Sequence, residues 1–485
     1  MSTRAHQPRI STPNGLWRGS LLAAAAGLGG AMLQAADSPA PSSDSERARL
    51  QAEIDALKGR LDKLELKQEG SAGTAAATPA TTTGAGAFGL GYRVQENLRL
   101  GAYGEMFGGV VQNPDDSGHR QLSFDAARIV LLPTYQISER IVFNAEVEFE
   151  HGGIGKDDDD KIYGTAEIEQ AYIDVRFNEH ISWRAPGVDV VPFGYTNLFH
   201  EPVLFYSVLR PELANGLIPT TWFGGSTSVY GVIVDGLNYQ FQVGPGLEDA
   251  AGHDQFAGNN SRTLSGSAPY AAGISGSPDG LGFAQAPRGS NQLTNALGYA
   301  VRLSYQLAPG LAGSSSAYWT SNVVPRGAFR ADNSPILGHC SVTMLDSEMR
   351  YRIPGCGVEL RAEAVGVRFS NPENLRANND GDATDNVGRS MWGFSGEVAY
   401  HWQAVKDVDV VPFYRYTRID FQTAGYTGSD PNAPTGAGQV QYHSAGVAVF
   451  PTPEVVFKLT AQHIIDRSAS GARADSILGG VGFFF

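Results

Sequence analysis

Short segments in which apolar and polar side chains alternate recur along the chain from residue 88 onward. In RIVFNAEVEFEHGG, residues 140–153, one face carries Ile141, Phe143, Ala145, Val147 and Phe149, and the other carries Asn144, Glu146, Glu148 and Glu150. The same period of two occurs in EQAYIDVRF, MLDSEMRYR and GFSGEVAYHW. Because successive side chains of a β-strand point to opposite faces, the period indicates strands with one apolar face. This part of the chain is therefore predicted to be all-β.

The connections between these segments alternate in length. Short turns read SER, NEH, DGLN, PGLAG, IPGCG, AVKD and TPE, and long polar connections include GIGKDDDDKIYG, residues 244–296, NNDGDATDNVGR and TGSDPNAPTGAGQ. A soluble sandwich also alternates along its strands, but short turns at one end with long loops at the other are typical of a transmembrane β-barrel. Aromatic residues near strand ends are expected to form girdles at the two membrane interfaces: Tyr135, Trp183, Phe193, Tyr195, Trp319, Trp392, Trp402, Phe413 and Tyr414.

The pattern predicts sixteen antiparallel strands. Their expected ranges are 98–112, 122–136, 140–151, 166–177, 181–195, 228–235, 237–244, 297–308, 314–323, 342–353, 357–369, 392–403, 408–421, 441–451, 455–466 and 476–485. An even number lets the last strand, SILGGVGFFF, pair with the first and close the barrel. The terminal Phe485 also resembles the signal that outer-membrane assembly machinery reads.

The N-terminal region has the composition of an export signal. Basic residues at Arg4, Arg9 and Arg18 precede the apolar run 21–33, which is too short to span a bilayer as a helix. We expect a signal peptide over 1–36, and with the barrel pattern this predicts a location in the bacterial outer membrane.

A short helical segment is expected between the signal and the barrel. Leu50, Ile54, Leu57, Leu61 and Leu64 are separated by steps of four and three residues, the spacing of a coiled coil. This predicts a periplasmic coiled-coil helix over 44–69, with a single solvated amphipathic helix as the alternative. A flexible linker is expected over 70–87, and the barrel domain over 88–485.

Several function classes are disfavoured. A net charge of −14 argues against a nucleic-acid partner, and no GxSxG motif or Ser/His/Asp arrangement indicates an enzyme. Cys340 and Cys356 form no CxxC pair and have no histidine cluster beside them, so no metal or cofactor is expected. Since they lie at opposite ends of one predicted strand, both thiols should be free.

The segment VDVVPFGYTNLFHEPVLFYSVLRPELANGLIPTTWFGGST, residues 188–227, is too apolar for a solvated loop. We expect it to fold inward. Together with FDAARIVLLPTYQISERIVFNAEVEFEHGG and the terminal VGFFF, it resembles the phosphate-selective porin O/P family of outer-membrane porins. The resemblance covers roughly residues 98–485. It implies trimers of sixteen-stranded barrels in which the third loop, here about 196–227, forms the constriction.

The candidate pore residues follow from these expectations. At the constriction we expect Arg210, Glu201, Glu212, Phe205 and Tyr206, and on the pore wall Arg128, Glu146, Glu148, Arg176, Asp346, Glu348, Arg350 and Arg352. Arg361 is a further arginine of the expected basic track. Arg210 could contact anions, or it could pin the loop to the acidic wall. The family's lysine site has no counterpart at named positions, because residues 88–485 contain four lysines only.

The expected function is passive diffusion of small hydrophilic or ionic solutes through a water-filled porin, because sixteen strands leave an open lumen. Two alternatives remain. One is an anion-specific channel for phosphate or a dicarboxylate, and the other is a structural barrel that anchors the envelope through its coiled-coil stalk. The expected partners are two further copies in a homotrimer, outer-membrane lipid and lipopolysaccharide, the assembly machinery and small solutes.

Overall fold

The computed structural model describes residues 92–95, 97–112, 120–156, 162–218, 222–247, 296–324, 328–330, 332–377, 389–405, 408–423, 439–467 and 473–485. The predicted signal peptide 1–36, coiled coil 44–69 and linker 70–87 lie outside these residues and stay predictions.

The described residues form eighteen strands. They are β1 Tyr92–Gln95, β2 Leu98–Gln112, β3 Arg120–Ser138, β4 Ile141–Lys156, β5 Ile162–Arg176, β6 Ser182–Val190, β7 Phe223–Val234, β8 Leu237–Pro245, β9 Leu297–Ala308, β10 Leu311–Thr320, β11 Ser341–Arg352, β12 Val358–Ser370, β13 Ser390–Tyr400, β14 Trp402–Val405, β15 Val408–Thr423, β16 Gln439–Thr452, β17 Val455–Asp466 and β18 Arg473–Phe484. β14 continues β13 along β15, and β1 pairs with the first residues of β2.

The remaining strands pair with their chain neighbours in antiparallel fashion, and β18 pairs with β2. With β1 left out and β13 and β14 counted as one, sixteen strands close into a barrel, as the sequence predicted. The closure extends to the last residue, because Phe485 and Ala102 exchange two backbone hydrogen bonds of 2.8 and 2.9 Å. A closed barrel leaves no unpaired sheet edge.

Two strand boundaries beside the long connection differ from the prediction. The sixth strand was expected to begin at residue 228 after a loop up to residue 227, but β7 begins at Phe223. Gly224 and Gly225 pair with Asp189 and Val188 of β6, so these residues are part of the ladder. Conversely, β6 ends at Val190 rather than at 195. The fifth strand is therefore shorter than predicted and the sixth is longer.

The two faces of the barrel differ in chemistry. The outward face carries exposed apolar side chains all around the ring, among them Ile129, Ile168, Leu303, Leu345, Phe394, Phe457 and Ile477. The inward face carries the polar members of each alternation. Of the predicted girdle residues, Tyr135, Trp183, Trp319, Trp402 and Tyr414 are exposed. Phe193 and Phe413 are buried inside, and Tyr195 contacts inner-wall residues, so these three are corrections to that prediction.

Helical structure is confined to single turns among the described residues: α1 Tyr195–Leu198, α2 Leu213–Gly216, α3 Glu373–Arg376 and a 3-10 turn at Pro202–Leu204. No described helix is long and apolar enough to cross a membrane. Cys340 precedes β11 and Cys356 follows it, and both are free thiols, as predicted.

Candidate functional site: a loop folded into the barrel

The connection between β6 and β7, residues 191–222, folds into the barrel; its residues 219–221 are not described. The Val191 amide donates to the Trp222 carbonyl at 2.8 Å, which ties the two ends of the loop together. Gly194 has a φ of 74°, and a Cβ there would lie 2.5 Å from Cδ1 of Ile218. Only glycine fits this inward turn without strain.

Glu212 anchors the loop to one wall. Its Oε2 accepts from Arg415 Nε at 2.8 Å and from the Thr417 hydroxyl at 2.7 Å, and its Oε1 accepts from Ser444 and Gln462 at 2.7 and 2.9 Å. Arg415 also donates to Oε1 at 3.1 Å. The carboxylate is buried, and both of its oxygens are fully satisfied.

This environment decides the charge of Glu212. Burial by itself raises the pKa of its carboxyl, but the Arg415 charge and the hydrogen bonds from Arg415, Ser444 and Thr417 lower the pKa more. The net shift is downward, so the group is held as a carboxylate. Arg415 has a second acidic partner in Glu397, to which it donates at 2.9 Å.

Tyr206 forms a second anchor toward β12. Its hydroxyl donates to Glu359 at 3.0 Å and lies 2.9 Å from His401 Nε2. The guanidinium of Arg361 lies 4.1 Å from the centroid of the Tyr206 ring and donates to the Leu204 carbonyl at 3.0 Å. The loop is thus held by wall arginines that contact its rings and carbonyls as well as its carboxylate.

A cavity of about 50 Å³ remains between the loop and the wall formed by β11 to β15. Three arginines and three glutamates line it: Arg350, Arg361, Arg415, Glu348, Glu363 and Glu397. Arg350 donates to the Tyr195 hydroxyl and stacks on that ring at 4.5 Å. The cavity has room for a few water molecules.

Apolar residues pack together inside the barrel toward the end that carries the long connections. Leu213, Leu217 and Ile218 of the loop belong to one buried cluster with inward residues from the ends of many strands. The wall members include Val342, Met344, Val365, Val367, Phe369, Met391, Ile419, Val440 and Ile464. This part of the inner wall is therefore apolar, and the expected water-filled lumen stays a prediction.

On the opposite wall the loop meets a cluster of carboxylates. Arg128 donates to the His200 carbonyl at 2.6 Å and to Glu105 at 2.8 Å, and its NH1 lies 3.8 Å from Glu148. His200 Nε2 lies 3.8 Å from Glu146 Oε1 and 3.8 Å from Glu169 Oε2. All of these side chains except the partly exposed Glu105 are buried.

The predicted site residues are distributed as follows. Glu201, Phe205, Tyr206 and Glu212 are buried in the inward loop, where Arg210 is half-buried. On the wall, Arg128, Glu146 and Glu148 are buried beneath the loop, Asp346 and Glu348 are buried on β11, and Arg350 borders the cavity. Arg176 and Arg352 are exposed at strand ends beside short turns. The pore role of every one of these residues stays a prediction.

Sequence reasoning missed Arg415, Glu359, Glu169 and His200. Arg415 and Glu359 occupy inward positions of predicted strands. The alternation of apolar and polar residues identifies their face but not their contacts with the loop. Glu169 breaks the alternation, and His200 was only one of several scattered histidines.

No family model matches the chain. A protein of Aquifex aeolicus described as "Uncharacterized protein" is 31% identical over 161 residues, which are 33% of this chain and 35% of that relative. The match thus spans about a third of the relative's length.

Solved outer-membrane proteins resemble the chain at low identity. The anion-selective porin from Comamonas acidovorans is 12% identical, with 80% of this chain and 100% of that chain covered and a TM-score of 0.47. Salmonella typhi OmpF in complex with daunomycin is 13% identical, with coverage of 80% and 98% and a TM-score of 0.47. The outer-membrane channel DcaP of Acinetobacter baumannii is 10% identical, with coverage of 81% and 99% and a TM-score of 0.47.

Proposed function

We propose that this protein is an outer-membrane channel for passive diffusion of small hydrophilic or ionic solutes. The observation that carries the proposal is the closed sixteen-stranded barrel with an apolar outer face, charged inner walls and a loop folded inside. In a lipid bilayer every backbone polar group must be satisfied internally, which a closed barrel achieves. The large exposed apolar surface has no rationale in water.

The lining of the cavity favours weak selectivity. Its three arginines and three glutamates have a formal sum of zero, and rings of unbalanced charge are what make a pore selective. Arg350 and Arg361 also share Glu359 as an acidic partner. We therefore propose that the chain shares the barrel and the inward loop of phosphate-selective porins but not their specificity for phosphate.

Single-channel recording in a planar bilayer tests the channel. We expect step conductance with a reversal potential close to zero across a salt gradient and little block by phosphate. Strong anion preference with phosphate block would replace the general porin by the anion-specific channel. Arg350→Gln should then shift the reversal potential toward cations. Arg184→Gln, in a buried pair with Asp189 away from the cavity, serves as the matched control and should leave the reversal potential unchanged.

A second candidate is supported by the apolar cluster inside the barrel, since packing of this kind closes a lumen where it extends across it. A barrel closed in this way would act as a structural element of the envelope, with the predicted stalk 44–69 reaching toward the cell wall. The absence of conductance in the folded protein, with an envelope defect on deletion of 44–69, would favour this function over the channel.

The assembly partners are proposals as well. We propose a homotrimer embedded in outer-membrane lipid and lipopolysaccharide, and delivery by the assembly machinery through Phe485. Chemical crosslinking in mild detergent should give a trimer band, and a monomer alone would contradict the trimer.

A further inference from the structure

Glu146, Glu169 and His200 converge at the junction of the loop and the barrel wall. One ligand-type atom of each lies within 4.8 Å of the others. Glu146 is on β4, Glu169 is on β5 and His200 is on the loop, so the three groups come from separate parts of the fold.

Glu169 is turned into this cluster by a β-bulge. Glu146 pairs with Gln170 and Val147 pairs with Ile168, so Glu169 has no partner in the ladder. The extra residue places Glu169 and Gln170 both inward, while Ile168 remains 54% exposed on the outside. Bulges re-aim side chains in this way and are common beside functional sites.

Glu169 is buried beside a second carboxyl, that of Glu148, with which it can share a proton. The residue is 0% exposed, and neither of its oxygens accepts a hydrogen bond from any residue that the structure describes. A buried carboxylate in this condition is costly unless a proton or a cation accompanies it. Arg128, the nearby guanidinium, donates to Glu105 and to the His200 carbonyl, and its NH1 lies 3.8 Å from Glu148 rather than against Glu169.

The histidine is oriented as a ligand. Its Nδ1 lies 3.1 Å from the Asn197 carbonyl, which can only accept, so Nδ1 carries the proton and Nε2 faces the carboxylates. Metal-binding histidines characteristically use a backbone carbonyl in this way to fix the other nitrogen. The Tyr103 hydroxyl lies 2.8 Å from Glu146 Oε1 and 2.9 Å from Nε2. Because the hydroxyl donates its single proton to Glu146, the lone pair of a neutral Nε2 is left for a proton or a metal ion.

We propose that Glu146, Glu169 and His200 bind one divalent transition-metal ion, of which Zn²⁺ is the representative, and that the ion fastens the loop to the wall. Mixed imidazole and carboxylate ligands suit Zn²⁺ and its neighbours, whereas Ca²⁺ and Mg²⁺ prefer oxygen alone. Nε2 lies 3.8 Å from Glu146 Oε1 and 3.8 Å from Glu169 Oε2. Two ligand atoms of a tetrahedral ion with bonds of about 2.0–2.1 Å are somewhat closer together than this. Binding therefore requires a small inward shift of the three side chains.

The amount of bound metal tests this site independently of any conductance measurement. The tag-free, folded protein is stripped with EDTA, dialysed against Zn²⁺ and assayed by elemental analysis and calorimetry. We expect one Zn²⁺ per chain. Glu169→Gln and His200→Gln should weaken binding about 100-fold or more, because the loss of even a supporting contact costs about 10–100-fold.

Asp174→Asn is the matched control, since Asp174 is a buried carboxylate on the same strand that the Tyr230 hydroxyl satisfies. This variant should bind Zn²⁺ like the wild type. Heat-modifiable mobility on gels confirms that each variant is a folded barrel. As a second readout, Zn²⁺ should protect the loop from proteolysis in the wild type but not in Glu169→Gln.

Three results would overturn the proposal. The folded wild type could bind no Zn²⁺, which would leave a proton as the neutralising charge. Both ligand variants could bind Zn²⁺ as the wild type does, which would place the ion elsewhere, for instance at the exposed His463 and Asp475 pair. Ca²⁺ or Mg²⁺ could bind in preference to Zn²⁺.

Discussion

Glu212 and Glu169 are both buried glutamates at points where the loop meets the barrel wall, but their surroundings are opposite. Glu212 extends from the loop to a wall arginine and accepts hydrogen bonds on both oxygens. Glu169 extends from the wall toward a loop histidine and accepts none from the described residues. The comparison separates two uses of a buried carboxylate. Glu212 is satisfied by donors of its own chain and is a structural anchor, whereas Glu169 lacks such donors and is available to a ligand.

The largest expected effect is at Arg415. Arg415→Ala leaves Glu212 buried without its guanidinium, while Glu397 keeps Arg361 at 3.5 Å. Breaking a buried ion pair costs about 3–5 kcal/mol. Loss of this free energy should release the loop. Limited proteolysis within residues 199–217 should become rapid, and the unfolding midpoint should fall.

Arg302→Ala is the control, because Arg302 is buried against Glu348 and Ser316 on the wall alone. It should lower the unfolding midpoint without exposing the loop. Equal loop cleavage in both variants would show that the Glu212 contact does not hold the loop.

Neutralising the two glutamates should change stability in opposite directions. In EDTA, Glu212→Gln removes acceptors from several donors and should lower the free energy of unfolding by about 1–3 kcal/mol. Glu169→Gln removes an unsatisfied buried charge and should raise it by a similar amount, about 1–3 kcal/mol. Denaturant titration of the two variants and the wild type measures the change in the free energy of unfolding for each variant. A loss of stability in both would contradict the comparison.

Acid should weaken the Glu212 anchor. The pKa of Glu212 is lowered in the folded protein, so its contribution is complete above the ordinary carboxyl pKa of about 4.3 and is lost as the pH falls through the lower, folded value. Loop proteolysis by an acid-stable protease should rise in that range. Glu212→Gln should abolish this part of the pH dependence, and an unchanged profile would assign the acid sensitivity to other groups.

The smallest expected effect is at the second anchor. Tyr206→Phe loses the hydrogen bond to Glu359 but keeps the ring that contacts Arg361. A loss of about 0.5–1.5 kcal/mol is expected for one such bond. Tyr206→Ala should cost more, since the ring packing is lost too. If the two variants were equally destabilised, the ring would contribute nothing.

The alternation of apolar and polar residues was enough to predict the number of strands and, for most positions, the face of each residue. This alternation placed Glu146, Glu148 and Asp346 on the inward face, because successive side chains of a strand point to opposite faces. It also indicated that the segment after the fifth strand is too apolar to remain outside. These features depend on local geometry and composition, which the sequence carries directly.

The contacts of the loop could not be predicted from local sequence, because they depend on the closed barrel. Arg415 lies 203 positions after Glu212 in the chain, and no local pattern relates the two residues. The same holds for Glu169, since one extra residue in β5 reverses its face and no alternation rule anticipates a bulge. The path of a loop across a lumen is set by which inward groups it can satisfy, and those groups are brought together only when the barrel closes.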